Sequence, residues 1–162
     1  MADVGVVYTL TTPGGTITFN EFTDPFVGDN DQWYITEIRG LGSPVMRTPV
    51  DPVPLGDGAL VHDFYFGERL IGIEGTFLVM STGIQDDIVQ IRNQMEFDLK
   101  LALYSIIRTD GTLVYTPQGQ GQYTYNVRYH VGLETVHSNN YHSLDFSFGL
   151  ISADPVVSPE DV

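Results

Sequence analysis

Four histidines, His62, His130, His137 and His142, are the side chains of this chain with the widest chemical repertoire, since imidazole serves both as a base near neutral pH and as a metal ligand. None stands in the His-Glu-x-x-His spacing that sets two imidazoles on one helix face. His130 and His142 flank a turn between two strand patterns, which makes a cross-strand pair the one metal geometry to test. Asp29-Asn30-Asp31 opens like a calcium loop, but the glycine and closing glutamate that complete such a loop are missing, so a plain turn is expected. Carboxylates are abundant and scattered, and no pair stands out as an acid and base flanking a glycosidic bond. A serine nucleophile elbow is absent, and Gly40, Gly42, Gly56 and Gly58 match no phosphate-binding spacing and open no helix. Tyr123, Tyr125 and Tyr129 share a strand face and, with Trp33, would suit sugar stacking if exposed; the same spacing is what a core-facing strand requires, and the core is the preferred reading. The expectation is a protein that is not an enzyme and has no cofactor and no metal.

The elements that hold these residues are mostly strands. One stretch differs: Ile84, Ile88, Ile91, Met95, Leu99, Ala102 and Ile106 recur at steps of three and four, which predicts an amphipathic helix over residues 82–108. Thr82 and Gln85 form a capping box, Asp86 and Asp87 complement the dipole of the first turn, and Thr109-Asp110-Gly111 ends the helix. The core stripe Ile84, Ile88, Ile91, Met95 and Leu99 must be covered by a sheet, because a lone helix is marginal in water.

Before the helix, residues 5–10 and 16–20 read as a hairpin turning at Thr12-Pro13-Gly14-Gly15. Residues 32–39 follow as a strand with Trp33, Ile35 and Glu37 on one face and Tyr34, Thr36 and Ile38 on the other, so cover is expected on both sides. Residues 40–58 hold four prolines and four glycines, which forbid a continuous ladder or helix and predict an extended loop or arm. A loop that long in a compact domain is usually functional. Strands over 60–66 and 70–80, turning at Gly67-Glu68, lead into the helix, and Ile71, Ile73, Gly75, Phe77 and Val79 share a face. After it come strands at 112–116, 123–137 with a kink at Gly132, and 141–152, where Leu144, Phe146, Phe148 and Leu150 line one side. Strands, one helix, then strands, with no βαβ alternation, predict a mainly β (α+β) fold. Its form would be an antiparallel β-sandwich or open barrel with the helix packed on a sheet. Residues 1–154 would form one domain and 155–162 a polar tail.

Seven basic residues against twenty-one acidic ones give a net charge of −14, a surface that repels nucleic acid phosphates. No apolar run is long enough for a membrane span, Met1-Ala2-Asp3-Val4 lacks the positive region of a secretory signal, and the absence of cysteine excludes disulfides and thiolate zinc sites. No membrane contact is expected, and synthesis in a cytoplasm is the default.

One succession is more specific: Ile38-Arg39-Gly40-Leu41, Pro44-Val45, Gly56-Asp57-Gly58, Tyr65-Phe66-Gly67 with Arg69 and Ile71, and Ile73-Glu74-Gly75-Thr76. After the helix it continues as Asp110-Gly111-Thr112-Leu113. Over residues 32–116 the chain resembles the N-terminal domain of phage distal tail proteins. The resemblance implies a hexameric ring, with no catalysis, at the end of a long non-contractile tail. That ring joins the tail tube to the tip or baseplate proteins, with the tape-measure protein and the DNA in its lumen. It implies an inter-subunit arm, here Pro44, Val45, Met46, Pro49, Pro52, Pro54 and Leu55, and acidic residues on the lumen wall among Asp51, Asp57, Asp63, Glu68 and Glu74. Related tube and terminator rings share the plan. Many members carry a second, C-terminal domain of galectin-like or oligonucleotide/oligosaccharide-binding type; the chain ends soon after Asp154, so a host-sugar-binding role of that domain is not carried over.

Overall fold

Alternating apolar and polar residues build seven of the strands into one curved sheet: β1 (Tyr8–Thr12), β2 (Gly15–Phe19), β3 (Gln32–Arg39), β8 (Arg69–Leu78), β9 (Gly111–Tyr115), β10 (Tyr123–His137) and β11 (Ser143–Ser152). The computed structural model describes residues 6–21, 32–42, 46–47, 50–52, 59–61, 65–66, 68–79, 85–137 and 142–152. The strand order is β1-β2-β3-β8-β11-β10-β9, and β9 pairs with β1, so the sheet closes into a barrel. Among the described residues the architecture is mainly β with one helix, α1 (Gln85–Ser105). Closure removes the free edges that an open sheet would leave.

Closure depends on one weak seam. β2 and β3 meet through a single parallel pair, Phe19 with Trp33, while every other junction in the barrel is antiparallel. Asn20 reinforces it. Its backbone takes a left-handed turn at φ 61°, its N–H donates to the Trp33 carbonyl at 2.8 Å, and its side-chain oxygen accepts from the Ile35 N–H at 2.9 Å. The side-chain amide donates in turn to the Val6 carbonyl at 3.3 Å. A short amide side chain thus supplies the hydrogen bonds that a longer ladder would have made.

The barrel interior is filled by alternate residues of each strand. Leu10, Phe19, Ile73, Phe77, Leu113, Val127, Leu144 and Leu150 have no exposed surface. Trp33 packs on Phe77 and Phe146 at ring separations of 4.7 and 5.2 Å, beside Phe19 and Phe148. From the helix, Leu99, Ala102, Leu103 and, in the turn beyond it, Ile106 are fully buried in the same core; Ile88 is buried, and Ile91 and Met95 pack half-buried against it. Ile84 lies outside the described residues. The helix crosses close to the β1–β2 turn, where a Cβ on Gly14 would lie 2.5 Å from the Leu101 carbonyl oxygen. Ser105 Oγ accepts the Gly14 N–H at 3.0 Å there. The helix ends at Ser105, three residues earlier than the periodicity implies, because tighter turns at Ile106 and Ile107 follow and the Ile106 carbonyl accepts the Tyr129 N–H at 3.1 Å.

Two irregularities change which faces residues occupy. β3 pairs Ile35 with Gly75 but Glu37 with Glu74, so one residue bulges between them. Trp33, Ile35 and Ile38 turn inward and Glu37 turns outward, which corrects the expectation that Glu37 shares the face of Trp33 and Ile35. β10 slips twice against β11, between Tyr129 and Val131 and between Val131 and Glu134, leaving Val131 exposed over Gly149.

Among the described residues, the proline-rich segment and its return pair as short ladders; residues 62–64, within the strand expected at 60–66, lie outside them. β4 (Met46–Arg47) pairs with β7 (Tyr65–Phe66), and β5 (Val50–Pro52) pairs with β6 (Ala59–Val61). Arg39 pairs with Gly72, Met46 with Phe66 and Val50 with Val61, so these strands continue the β3–β8 hairpin in nearly the same register.

Candidate functional site

The bulge in β3 assembles a surface that the sequence order conceals. Directly opposed residues on neighbouring strands point to the same side of a sheet. Glu37 of β3 opposes Glu74 of β8, Glu74 opposes Ser147 of β11, and Ser147 opposes Glu134 of β10. One row across four strands therefore carries three glutamates on the outer wall. The next row holds Tyr34, Thr76, Asp145 and Val136, and the row on the other side holds Arg39, Gly72, Gly149 and Val131. All of these residues but Tyr34 line two adjoining shallow grooves.

Like charges set opposite one another repel, so this row costs the fold stability. Arg39 offsets part of that cost: its Nε meets Glu37 Oε1 at 2.5 Å and its Nη2 lies 4.0 Å from Glu74 Oε1. The hydrogen bond from Arg39 holds the Glu37 carboxyl below its usual range, and the same contact raises Arg39. Asp145 accepts the Thr76 hydroxyl at 2.8 Å. Four carboxylates share the wall with one guanidinium, so it is strongly negative at neutral pH.

Of the acidic residues singled out from the sequence, Glu74 stands in the middle of this wall and Glu68 is exposed just before β8. Asp51 lies in β5 opposite Leu60, and Asp57 and Asp63 fall outside the described residues. Glu37, Glu134 and Asp145 were missed. Alternation with Leu144 and Phe146 marks Asp145 as outward, whereas no residue type announces the bulge that turns Glu37 out. Of the arm residues, Met46 and Pro52 lie in β4 and β5, while Pro44, Val45, Pro49, Pro54 and Leu55 fall outside the described residues.

Of the other chemical candidates, the His130–His142 pair and the aromatic platform are not assembled among the described residues, and His62 lies outside them. The β10–β11 register places His130 beside Gly149 and Leu150 and His142 at the far end of the ladder, against the Val79 carbonyl, so the two imidazoles do not meet. No group of three or more His, Asp or Glu that could hold a metal occurs among the described residues, and no described helix is long and apolar enough to cross a membrane. Asp29-Asn30-Asp31 lies outside the described residues. Trp33 and Tyr125 are buried, which removes the sugar-stacking platform. Tyr125 instead stacks on Tyr115, and Tyr115 on Tyr123, at 6.0 and 5.2 Å; burial pushes the Tyr115 hydroxyl well above the ordinary tyrosine range.

One polar cluster ties the helix to β10. Glu96 is 8% exposed on the inward side of α1, where it accepts from Lys100 Nζ at 2.9 Å and from Thr135 Oγ1 at 3.0 Å, with His137 Nε2 at 3.0 Å from its other oxygen. Burial works to raise its pKa, but the hydrogen bonds from Lys100 and Thr135 and the nearby positive charge outweigh it and leave the carboxyl lowered from 4.5. A carboxylate lowered by folding stabilises the native state above its unfolded value, and that contribution is lost as pH falls through the folded value. Glu96→Gln is therefore expected to cost about 1–2 kcal/mol at neutral pH. In urea titrations across pH, the difference from wild type should shrink once the pH drops below 4.5.

Superposition on the crystal structure of the phage SPP1 Dit protein covers 96% of this chain and 54% of that one, at a TM-score of 0.55 and 15% identity. The fold is that of a phage distal tail hub protein. Two structures of the phage p2 baseplate in its activated conformation, one with Sr and one with Ca, match 93% of this chain and 45% of theirs, at TM-scores of 0.53 and 0.56 and 9% identity. The chain thus spans about half the length of these hub-fold chains. Neither a protein-family model nor a curated protein sequence matches it.

Proposed function

We propose that this chain is a structural subunit of a phage tail. Copies associate into a ring, hexameric as the resemblance implies, at the distal end of a long non-contractile tail. The ring joins the tail tube to the tip or baseplate proteins and surrounds the path of the tape-measure protein and the DNA. The subunit belongs to the assembled virion and is not an enzyme. The observation that carries this reading is the fit of 96% of the chain to SPP1 Dit, described as a paradigm of the hub adsorption apparatus in phages that infect Gram-positive bacteria.

Two surfaces have the properties such a ring needs. The hairpin of β4 to β7 extends the β3–β8 pair beyond the barrel register and is the candidate contact with a neighbouring subunit. The acidic wall across β3, β8, β11 and β10 is the candidate lumen lining. Fixed negative charge facing a narrow channel repels phosphate over about a Debye length, roughly 8–10 Å at physiological salt, so DNA passes without being held.

Native mass spectrometry of the purified chain and negative-stain microscopy are expected to show closed rings with a central hole; a chain that stays monomeric at high concentration and is absent from purified virions would sink the proposal. Reversing the wall charge tests the lumen separately. Glu74→Lys with Glu134→Lys is expected to leave rings intact while lowering plaque-forming titre on the order of tenfold, because phosphate would be held instead of repelled.

A further inference from the structure

Arg69 begins β8 with its side chain turned into the barrel and only 4% exposed. A guanidinium keeps its charge when buried, so it must be supplied with acceptors. Its Nη1 donates to the Gly40 carbonyl at 3.1 Å and to the Gly42 carbonyl, and its Cζ lies 4.9 Å from the centre of the Tyr125 ring. The ring is fixed in turn by its stack on Tyr115 and by a long contact, 3.5 Å, from its hydroxyl to the Leu41 carbonyl. Three consecutive carbonyls of the segment leaving β3 are thereby held by side chains from β8 and β10.

That segment is where the hairpin departs. Arg39 with Gly72 is the last pair of the β3–β8 ladder, and beyond it Arg69, Leu70 and Ile71 are paired with β11 alone among the barrel strands. Gly40 has φ 88°, and a Cβ there would lie 1.8 Å from the Leu70 carbonyl oxygen, so the chain turns out of the ladder at a residue that only glycine suits. Leu41 then packs against the barrel core, and the same two segments resume pairing as β4–β7 and β5–β6. The donor stands on the returning foot of the hairpin and the acceptors on the outgoing foot.

We propose that Arg69 is the positioning residue of the hairpin: it bolts both feet to the barrel and sets the direction in which the hairpin leaves to meet a second copy of this chain. The half that concerns the second copy rests on the ring reading above; the half that concerns the hairpin does not. A lysine could reach one carbonyl but not grip two while stacking on Tyr125, which is why arginine suits the position.

Hydrogen exchange read by mass spectrometry on the full chain, wild type against Arg69→Gln, tests it beside native mass spectrometry. Amides over residues 40–52 and 59–68 are expected to exchange faster by on the order of tenfold, those of β10, β11 and α1 to change by less than about twofold, and the oligomer to be lost. Unchanged exchange in the hairpin of a folded variant overturns the proposal, as does an equal rise over β10, β11 and α1, which would make Arg69 a general core residue. If Arg69→Gln does not fold, Arg69→Lys carries the same test; a chain that folds with neither also overturns it. A wild-type monomer whose hairpin still depends on Arg69 refutes the ring reading and supports the positioning role. A ring that survives in Arg69→Gln with a loosened hairpin overturns the assembly half.

Discussion

Leu99→Ala is expected to lower the stability of the chain by about 2–5 kcal/mol, read as a shift in urea midpoint at unchanged m-value. Leu99 has no exposed surface and lies one turn from Ala102 and Leu103 and about two from Ile106, which are equally buried. The cost has two parts, the lost transfer of the side chain and the cavity left between helix and strands that cannot collapse fully. Collapse is hindered here because the helix is pinned along its length. Ser105 holds the Gly14 N–H at 3.0 Å, the Ile106 carbonyl holds the Tyr129 N–H at 3.1 Å, and Glu96 holds Thr135 at 3.0 Å, so α1 cannot slide inward to fill the void. Phe97→Ala is the matched control. Phe97 is 58% exposed on the opposite side of the helix, and its truncation should change monomer stability by no more than about 0.5 kcal/mol.

Long periodic segments were legible in the sequence because one physical cause dominates them. Leu144, Phe146, Phe148 and Leu150, or Ile71, Ile73, Phe77 and Val79, alternate without interruption and are all buried. The helix was legible for the same reason, though its ends were not. The stop at Ser105 is decided by a carbonyl shared with Tyr129, a partner twenty-odd residues away that no local pattern announces. Glu96 shows a different limit. It falls among apolar residues of the helix, and Thr135 and His137 that make its burial tolerable lie on a strand whose register depends on two bulges.

The candidate lumen wall was read least well, and β3 is the reason. Strict alternation puts Glu37 with Trp33 and Ile35, yet a single extra residue moves it to the outside, opposite Glu74. Barrel closure was hidden similarly: it rests on one parallel pair and on the side chain of Asn20, in a stretch that composition marks only as the end of a hairpin. Whether the sheet curls shut is settled by such junctions, whereas mean hydrophobic pattern is the same for a sandwich and a barrel.

The bulge also explains a glycine. Gly75→Ala is expected to destabilise the chain by about 3 kcal/mol or more, at or beyond the upper end of ordinary overpacking. A Cβ at Gly75 would lie 2.0 Å from the Tyr34 carbonyl oxygen, 3.0 Å from its carbon and 2.7 Å from Phe146 Cζ. Two of the three obstacles are backbone, so no rotamer change relieves them. The strand that would have to move is β3, which is held to its other neighbour by the single Phe19–Trp33 pair and the Asn20 bonds, so relief of the clash at Gly75 strains the seam that closes the barrel. Gly72→Ala supplies the control on the same strand. A Cβ there meets nothing within 4 Å, and the substitution should be neutral or stabilise by about 0.5 kcal/mol through the unfolded chain. Thermal and urea unfolding of the two variants side by side would separate loss of backbone freedom from loss of backbone space. Equal stability of Gly75→Ala and Gly72→Ala would mean that β3 can leave the bulged register at no cost, and that the row of glutamates has no fixed place on the wall.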